Sequence, residues 1–227
     1  MLVSVIVPVL NEGNLVSPLV SGLRAGLQAS DELLVIDGGS SDDTVLRARE
    51  AGAQVLVSAQ GRGNQMNIGA GAARGDVLVF VHADTLLPHG FRSAIAEALA
   101  DESAAWGRFD LRFDEAGFLL AVIARLISLR SRLFRSATGD QAIFVRRSIF
   151  ESVGAYRELL LFEDVDLVRR LRRRARMVVP RGFVVTSSRR WRNRGIWRTT
   201  LKMWTLKSLY LAGMPSARLA RFYSDER

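Results

Sequence analysis

The chain has 227 residues, 48% of them hydrophobic, and a formal net charge of +9. That length and apolar content suit one domain with a real core and argue against disorder. The absence of cysteine excludes disulfides, zinc–thiolate sites and cysteine nucleophiles and fits a reducing, cytoplasmic setting, while the basic excess after Arg108 calls for an anionic partner: nucleic acid, membrane surface or phosphorylated substrate.

In chain order, Met1 runs straight into the apolar Val3 to Pro8, which reads as a buried parallel strand rather than a secretory leader. Asn11-Glu12-Gly13-Asn14 breaks it before a helical pattern carried by Leu15, Leu19, Leu23 and Leu27. Leu33 to Ile36 predicts a second buried strand ending at Asp37, and Gly38 to Thr44 supplies helix caps for a helix to about Ala51, with Gly52 past its end. Gln54 to Val57 is the third strand, Gly61-Arg62-Gly63 a turn, and Asn64 to Arg74 a small-residue helix. Val77 to Val81 is a strand buried on both faces, and it stops where His82, Ala83 and Asp84 bring polar side chains. Regular strand–helix alternation over the first hundred residues predicts a parallel sheet with helices on both faces.

After a helix over Phe91 to Ala100 the pattern changes. Arg108 to Phe113 alternates with period two, as a half-exposed strand does, and Leu119 to Phe134 is an amphipathic helix. Ala142 to Val145 predicts a strand, Ser148 to Val153 and Glu163 to Arg176 helices, Val178 to Thr186 a strand pair broken at Pro180-Arg181-Gly182, and Ile196 to Leu211 a last helix. Arg125 interrupts the best apolar window, Ala116 to Leu129, short of the roughly eighteen residues that a spanning helix needs. The economical expectation is a single domain, 1–227, built on a mixed sheet.

Three strand ends carry the candidate chemistry: Asn11 and Glu12 after the first, Asp37 after the second, His82 and Asp84 after the fourth. Ligands of open α/β sheets bind beyond the carboxyl ends of strands, so these groups predict a pocket for something rich in hydrogen-bonding atoms, a nucleotide above all. Arg62, Gln65 and Asn67 add a cationic and amide cluster within reach of phosphates. Two alternatives stay open: Asp84 or Thr85 as the cap of a helix near Pro88, and Asp37 as a turn residue before two glycines. No GxxxxGK[ST] or GxGxxG run is present, which argues against a P-loop enzyme and a dinucleotide oxidoreductase. The arginines of 169–176 lack interleaved aromatics, which favours a solvated or lipid-facing surface and speaks against nucleic acid. Trp197, Leu201, Trp204 and Tyr210, with Arg198, Lys202 and Lys207 between them, suit a helix that packs on the core or lies on an anionic membrane.

VSVIVPVLNE at 3–12, VIDGGSSDDT at 35–44, GRGNQMNIGA at 61–70, FVHADT at 80–85, GDQAIFVRR at 139–147 and EDVDLVRRL at 163–171 follow the order and spacing of family-two glycosyltransferases. The chain resembles such a protein with a GT-A fold, and FVHADT and TSSRRW resemble the short bacterial branch called selenodomain-associated transferases. The resemblance implies a Rossmann-like nucleotide-binding sheet, mixed, with a nucleotide-binding half (1–100), an acceptor-binding half (101–195) and a helical tail (196–227). It implies an inverting, metal-dependent hexosyltransferase that uses a nucleotide diphosphate sugar, UDP-linked by first choice, and an acceptor hydroxyl. Pro8, Asn11, Glu12 and Asp37 would surround the nucleoside and Arg62, Gln65 and Asn67 the ribose and sugar-phosphate region, with His82 and Ala83 also among the residues that bind the nucleotide sugar. Asp84 would hold Mg2+ or Mn2+, although His82 stands where the usual Asp-x-Asp has its first acid. Asp164 would be the general base beside Glu163, Asp140 would place the acceptor, and Arg190 and Trp191 would lie over the diphosphate. The competing classes are a nucleotidyltransferase of similar sheet architecture and a non-catalytic basic binding module. The expected location is cytoplasmic, with attachment to the inner face of the membrane left open.

Overall fold

The computed structural model describes residues 1–223. Its first half is the expected alternation: β1 (Val3–Val9), α1 (Gly13–Gly26), β2 (Glu32–Asp37), α2 (Thr44–Glu50), β3 (Gln54–Val57), α3 (Arg62–Ala72) and β4 (Val77–Phe80). A two-residue β5 (Thr85–Leu86) and α4 (Phe91–Ala98) precede β6 (Ala104–Gly107), β7 (Asp110–Phe113) and α5 (Phe118–Leu133). A 3-10 turn at Gly139–Gln141 leads into β8 (Ile143–Arg146), α6 (Arg147–Ser152), α7 (Glu163–Leu171), β9 (Arg176–Val178) and β10 (Phe183–Thr186). Three helices follow: α8 (Arg189–Arg194), α9 (Ile196–Leu211) and α10 (Ser216–Tyr223).

A seven-stranded mixed sheet in the order β3-β2-β1-β4-β8-β6-β9 carries the core, and a second sheet, β5-β10-β7, stands beside it. β1 is parallel to both β2 and β4. Its side chains alternate, so Val3, Val5, Val7 and Val9 fill one apolar layer with α1 and α2, while Ile6 joins the opposite layer with α3 and α7. Each such buried aliphatic is worth about 1.5–3 kcal/mol over exposure, which is why strands this apolar take the centre.

The chain order reverses at β1, with β2 to one side and β4 to the other, and the two strands part at their carboxyl ends. Pairing of β1 with β4 stops at Ile6 opposite Phe80, and the Ile6 carbonyl accepts the Val81 N–H. Pro8, two residues on, faces the same way but has no N–H to continue the ladder. The crevice thus opens where a doubly wound sheet binds its ligands.

Several expectations change. Arg62 and Gly63 belong to the first turn of α3 rather than to a loop, because Gly61, at φ +138°, takes the break one residue earlier. Neither Asp84 nor Thr85 caps a helix: Thr85 pairs in β5, and α4 starts at Phe91 behind Gly90. Arg108 to Phe113 is not one strand, for β6 and β7 lie in different sheets with Arg108 fully buried between them. Its guanidinium bonds the Phe109 and Ser128 carbonyls and pairs with Asp110, which also holds Arg132, so α5 is tied to β7. Removing one partner would leave a buried charge unpaired, at about 3–5 kcal/mol. Likewise α7 ends at Leu171, and β9 and β10 pair in separate sheets rather than with each other. The helix over Ile196 to Leu211 is present but is followed by α10.

Candidate active site

The crevice widens into a cavity of about 880 Å3, room for a nucleotide sugar. Its first wall is the loop after β1, stitched to the loop after β2. The Asn11 N–H donates to Ser40 Oγ at 2.8 Å, and Asn11 Oδ1 accepts the Ser41 N–H at 2.8 Å. The Glu12 N–H donates to Thr44 Oγ1 at 2.8 Å and the Gly13 N–H to Asp42 at 3.1 Å. Asp37 is buried beneath this junction and accepts the Gly39 and Ser40 N–H groups, so its carboxylate shapes the turn and is not among the groups lining the cavity. Pro8, Asn11 and Glu12 do line it.

The second wall is the start of α3. Arg62 and Gln65 face the cavity, but the buried Gln65 amide also bridges the Val9 and Ile36 carbonyls at 2.9 and 2.7 Å, holding β1 and β2 at their ends. Asn67 points elsewhere. Its amide makes a two-way link with the backbone of Tyr156, which docks α3 onto the segment before α7.

His82, Ala83 and Asp84 form the floor. Asp84 is exposed, and its carbonyl accepts the Ser187 N–H at 3.2 Å, bringing the end of β10 beside it. His82 packs close against Gly139, where any Cβ would collide with the imidazole Nε2 and Cε1. That contact sets the third wall, the Thr138 to Asp140 turn, against the floor.

Across from it stands the N-terminus of α7. Asp164 Oδ2 accepts the Gly139 N–H at 2.7 Å and Oδ1 accepts the Val165 N–H at 2.7 Å, so the carboxylate is fixed between two elements with lone pairs still facing the cavity. Glu163 is buried next to it. Asp166 has a structural role, as its spacing predicts: it pairs with Arg170 one turn on and with Arg157.

The remaining wall, Trp191 apart, escapes the sequence reading. Ile123, Ile127 and Arg130 of α5, Trp191 of α8, Thr200, Met203, Trp204 and Lys207 of α9, and Tyr223 of α10 all line the cavity. Leu161, Phe162 and Val165 pack with Leu206, Leu219 and Tyr223, so the C-terminal helices fold back over the acids of α7. Trp191 rests on Phe113 with ring centroids 4.7 Å apart, and Arg189 lines the cavity beside it. The Arg190 side chain lies outside the described part of the structure. A signal for these residues exists at helical spacing: Ile123, Ile127 and Arg130 fall on one stripe, as do Thr200, Met203, Trp204 and Lys207, so a basic residue occupies an apolar face in each helix.

Acids and bases converge here. Burial first, then the charge of Asp84, raises the Glu12 carboxyl above its ordinary range against the pull of Arg189 and Arg62. Burial likewise raises Asp140, reinforced by Asp164 and Asp84 and opposed by a hydrogen bond from Thr138. Burial alone would lower Arg62, but Glu163, Tyr223, Asp164 and Asp84 outweigh it and hold the guanidinium charged. Among the described residues no three His, Cys, Asp or Glu groups gather to hold a metal by themselves. An exposed carboxylate at a strand end, in electrostatic reach of Glu12, fits the other arrangement, in which Mg2+ or Mn2+ takes one or two protein oxygens and completes its shell from a diphosphate and water.

Comparison with known proteins agrees with this geometry. The chain is 39% identical over 103 residues to glucosyl-3-phosphoglycerate synthase of Mycolicibacterium paratuberculosis, a match covering 38% of this chain and 30% of the relative. It is 29% identical over 171 residues to the PGL/p-HBAD biosynthesis glycosyltransferase of Mycobacterium bovis (strain BCG / Pasteur 1173P2), covering 67% and 62% respectively. Of the curated relatives matched first, then, the chain spans under a third of the length. Among solved structures, Mycobacterium tuberculosis glucosyl-3-phosphoglycerate synthase, in complex with Mn2+, UDP-glucose and phosphoglyceric acid, superposes with a TM-score of 0.61 at 21% identity, over 78% of this chain and 68% of that one. S. aureus TarS in complex with UDP-GlcNAc gives a TM-score of 0.66 at 19% identity, over 83% and 59%. These likenesses establish the GT-A type of fold. The model of glycosyl transferase family 2 matches residues 4–160, more than half of the sequence and every strand end that builds the donor side of the cavity, and the chain belongs to that family.

Proposed function

We propose that the protein is an inverting glycosyltransferase that moves a sugar from a UDP-linked donor to an acceptor hydroxyl with the help of a divalent metal. The observation that carries this reading is the pairing, across one cavity, of a strand-end carboxylate, Asp84, with a second carboxylate, Asp164, fixed by two backbone N–H groups. The nucleoside lies against Pro8, Asn11 and Glu12, over the turn that Asp37 shapes, and Arg62 and Arg189 face the diphosphate. A bound Mg2+ or Mn2+, held by Asp84, supplies positive charge to the diphosphate.

Asp164 takes the proton of the acceptor hydroxyl as that oxygen bonds to the anomeric carbon. The bond from that carbon to the diphosphate oxygen breaks with its electron pair, and UDP departs. Its new charge is met by Arg62 and Arg189, donors preorganised around the cavity. Asp140, opposite Asp164 and raised by burial, positions the acceptor, and Trp191 closes the cavity over the donor. Single-turnover transfer from a panel of nucleotide sugars with Mn2+, read as UDP release, tests the reading. Transfer that depends on Asp164 is expected; release from none of the donors would overturn it.

We also propose contact with an anionic bilayer through α9. Trp197 and Leu201 are exposed beside Arg198 and Lys202, the composition of a helix lying on a membrane surface. Among the described residues no helix is long and apolar enough to cross a membrane. Co-sedimentation with phosphatidylglycerol vesicles, lost in the double variant Trp197→Ser, Leu201→Ser, is the expected result, and co-sedimentation unchanged by that variant would refute it.

A further inference from the structure

Two cations in the cavity wall have no role in the donor chemistry above. Arg130 comes from the inward stripe of α5 and Lys207 from that of α9, and both line the cavity at the end occupied by Asp140 and Asp164. They are close enough to repel each other: burial, followed by the charge of Arg130, lowers Lys207 to about 8. Among the described residues neither forms an ion pair, whereas Arg132, Arg147 and Arg170 on neighbouring surfaces do. Among the described residues, Arg130 Nε and, on the same stripe of α9 as Lys207, Thr200 Oγ1 are also shielded from solvent with no hydrogen-bond partner. The carboxyl whose charge reaches Arg130, Asp140, forms no ion pair with it among the described residues. Unpartnered donors and like charges, gathered from α5 and α9 on one wall, cost stability unless an anion arrives to accept from them.

Resting on the transferase reading, we infer that the acceptor carries an anionic group, a phosphate or carboxylate, seated between Arg130 and Lys207, with its reactive hydroxyl directed to Asp164. The acceptor end, not the donor end, is assigned because the carboxylates whose charge reaches Arg130 and Lys207 are Asp140 and Asp164, whereas Arg62 also feels Asp84 and, with Arg189, acts on Glu12 at the donor wall. One chemistry here has two sources, a soluble phosphomonoester or a lipid phosphate headgroup. The second is accommodated by the outward faces of the same two helices, where Leu129, Leu133 and Leu201 are exposed.

The test uses the full chain saturated with UDP and Mn2+, so that donor phosphate positions are filled. Glycerol 3-phosphate and glycerol are titrated by calorimetry at constant ionic strength, followed by phosphatidylcholine vesicles with and without phosphatidic acid. The phosphate-bearing probe is expected to bind and its neutral counterpart not. Arg130→Gln and Lys207→Gln should each weaken that binding about tenfold, the loss of one charge-assisted contact, with UDP affinity unchanged. Arg125→Gln, on the exposed face of α5, should change neither. Binding of the soluble probe assigns a free phosphomonoester, and binding of the vesicles alone a headgroup. No phosphate-dependent binding, or binding indifferent to both substitutions, would overturn the inference. So would UDP affinity falling in step, which would give the cations to the donor. Failure to bind UDP with phosphate binding intact and sensitive to both substitutions would instead overturn the transferase reading and leave the anion site standing.

Discussion

Replacing Asp164 by Asn separates chemistry from architecture, and its cost to each follows from the geometry. The carboxylate accepts two backbone N–H groups, from Gly139 and Val165, each at 2.7 Å. An amide offers a single oxygen, so one of those donors would meet an NH2 group instead. Losing a hydrogen bond to a charged acceptor costs about 1.5–3 kcal/mol, and losing a negative charge in the first turn of α7 about 0.3–1 kcal/mol. Asp164 is half-exposed, which favours the lower ends of both ranges, about 2 kcal/mol in all. In a chain of this size that lowers the melting temperature by about 4–8 °C and leaves the fold intact. Turnover should fall far more, by about 10²–10⁴-fold, since a general base has been removed. The assay is single-turnover transfer at saturating donor, well below the melting transition of the variant, beside UDP titration with Mn2+. Normal UDP affinity with transfer lost is the expected result. Transfer within about tenfold of wild type, below any general-base contribution, would refute the reasoning, and a larger loss in Asp140→Asn would then move the base across the cavity.

Asp84→Ala should abolish metal-dependent UDP binding yet change stability by no more than about 0.5 kcal/mol, because the side chain is exposed; metal-dependent UDP affinity equal to wild type would remove Asp84 from the site. His82→Ala should reduce that binding less, and an equal loss would make the imidazole a ligand. Gly139→Ala drives a methyl group into the His82 ring, so about 1–3 kcal/mol of overpacking and slower transfer are expected with UDP affinity retained, and a melting curve identical to wild type would show the contact to be looser than described. Asp140, raised by burial, binds its proton more tightly folded than unfolded. Its contribution to stability is therefore full below the ordinary aspartate range and is lost as pH rises through the raised value. Asp140→Asn should melt above wild type at neutral pH, with the gap closing in acid; a gap that widens in acid would reverse the sign of the shift.

Much of the donor side is legible from residues alone, because local rules and the global fold agree there. Near-continuous apolar runs such as Val3 to Val9 and Val77 to Phe80 have no stable place except the middle of a covered sheet, and the polar residue that ends each run must then stand at the strand's carboxyl end. Gly52, at φ +91°, ends α2 where a residue without Cβ is called for. The second half obeys longer-range choices. Period two over Arg108 to Phe113 says strand, yet the partners that split it, Val178 for Arg108 and Gln141 for Phe109, are distant in sequence, and the same holds for β9 and β10. The site divides along the same line. Asp84 and Asp164 can be picked out by motif, but that Asn67 serves Tyr156, that Asp37 braces a turn, and that Gly139 ties Asp164 to His82 are facts of packing. Arg130 and Lys207 read singly as solvated charges on amphipathic helices. Only the return of α9 over α7, driven by burial of Leu161, Phe162, Leu206 and Leu219, brings Lys207 to the cavity that Arg130 reaches from α5, since apolar burial is non-directional and a sequence records which face of a helix is buried but not what that face will meet.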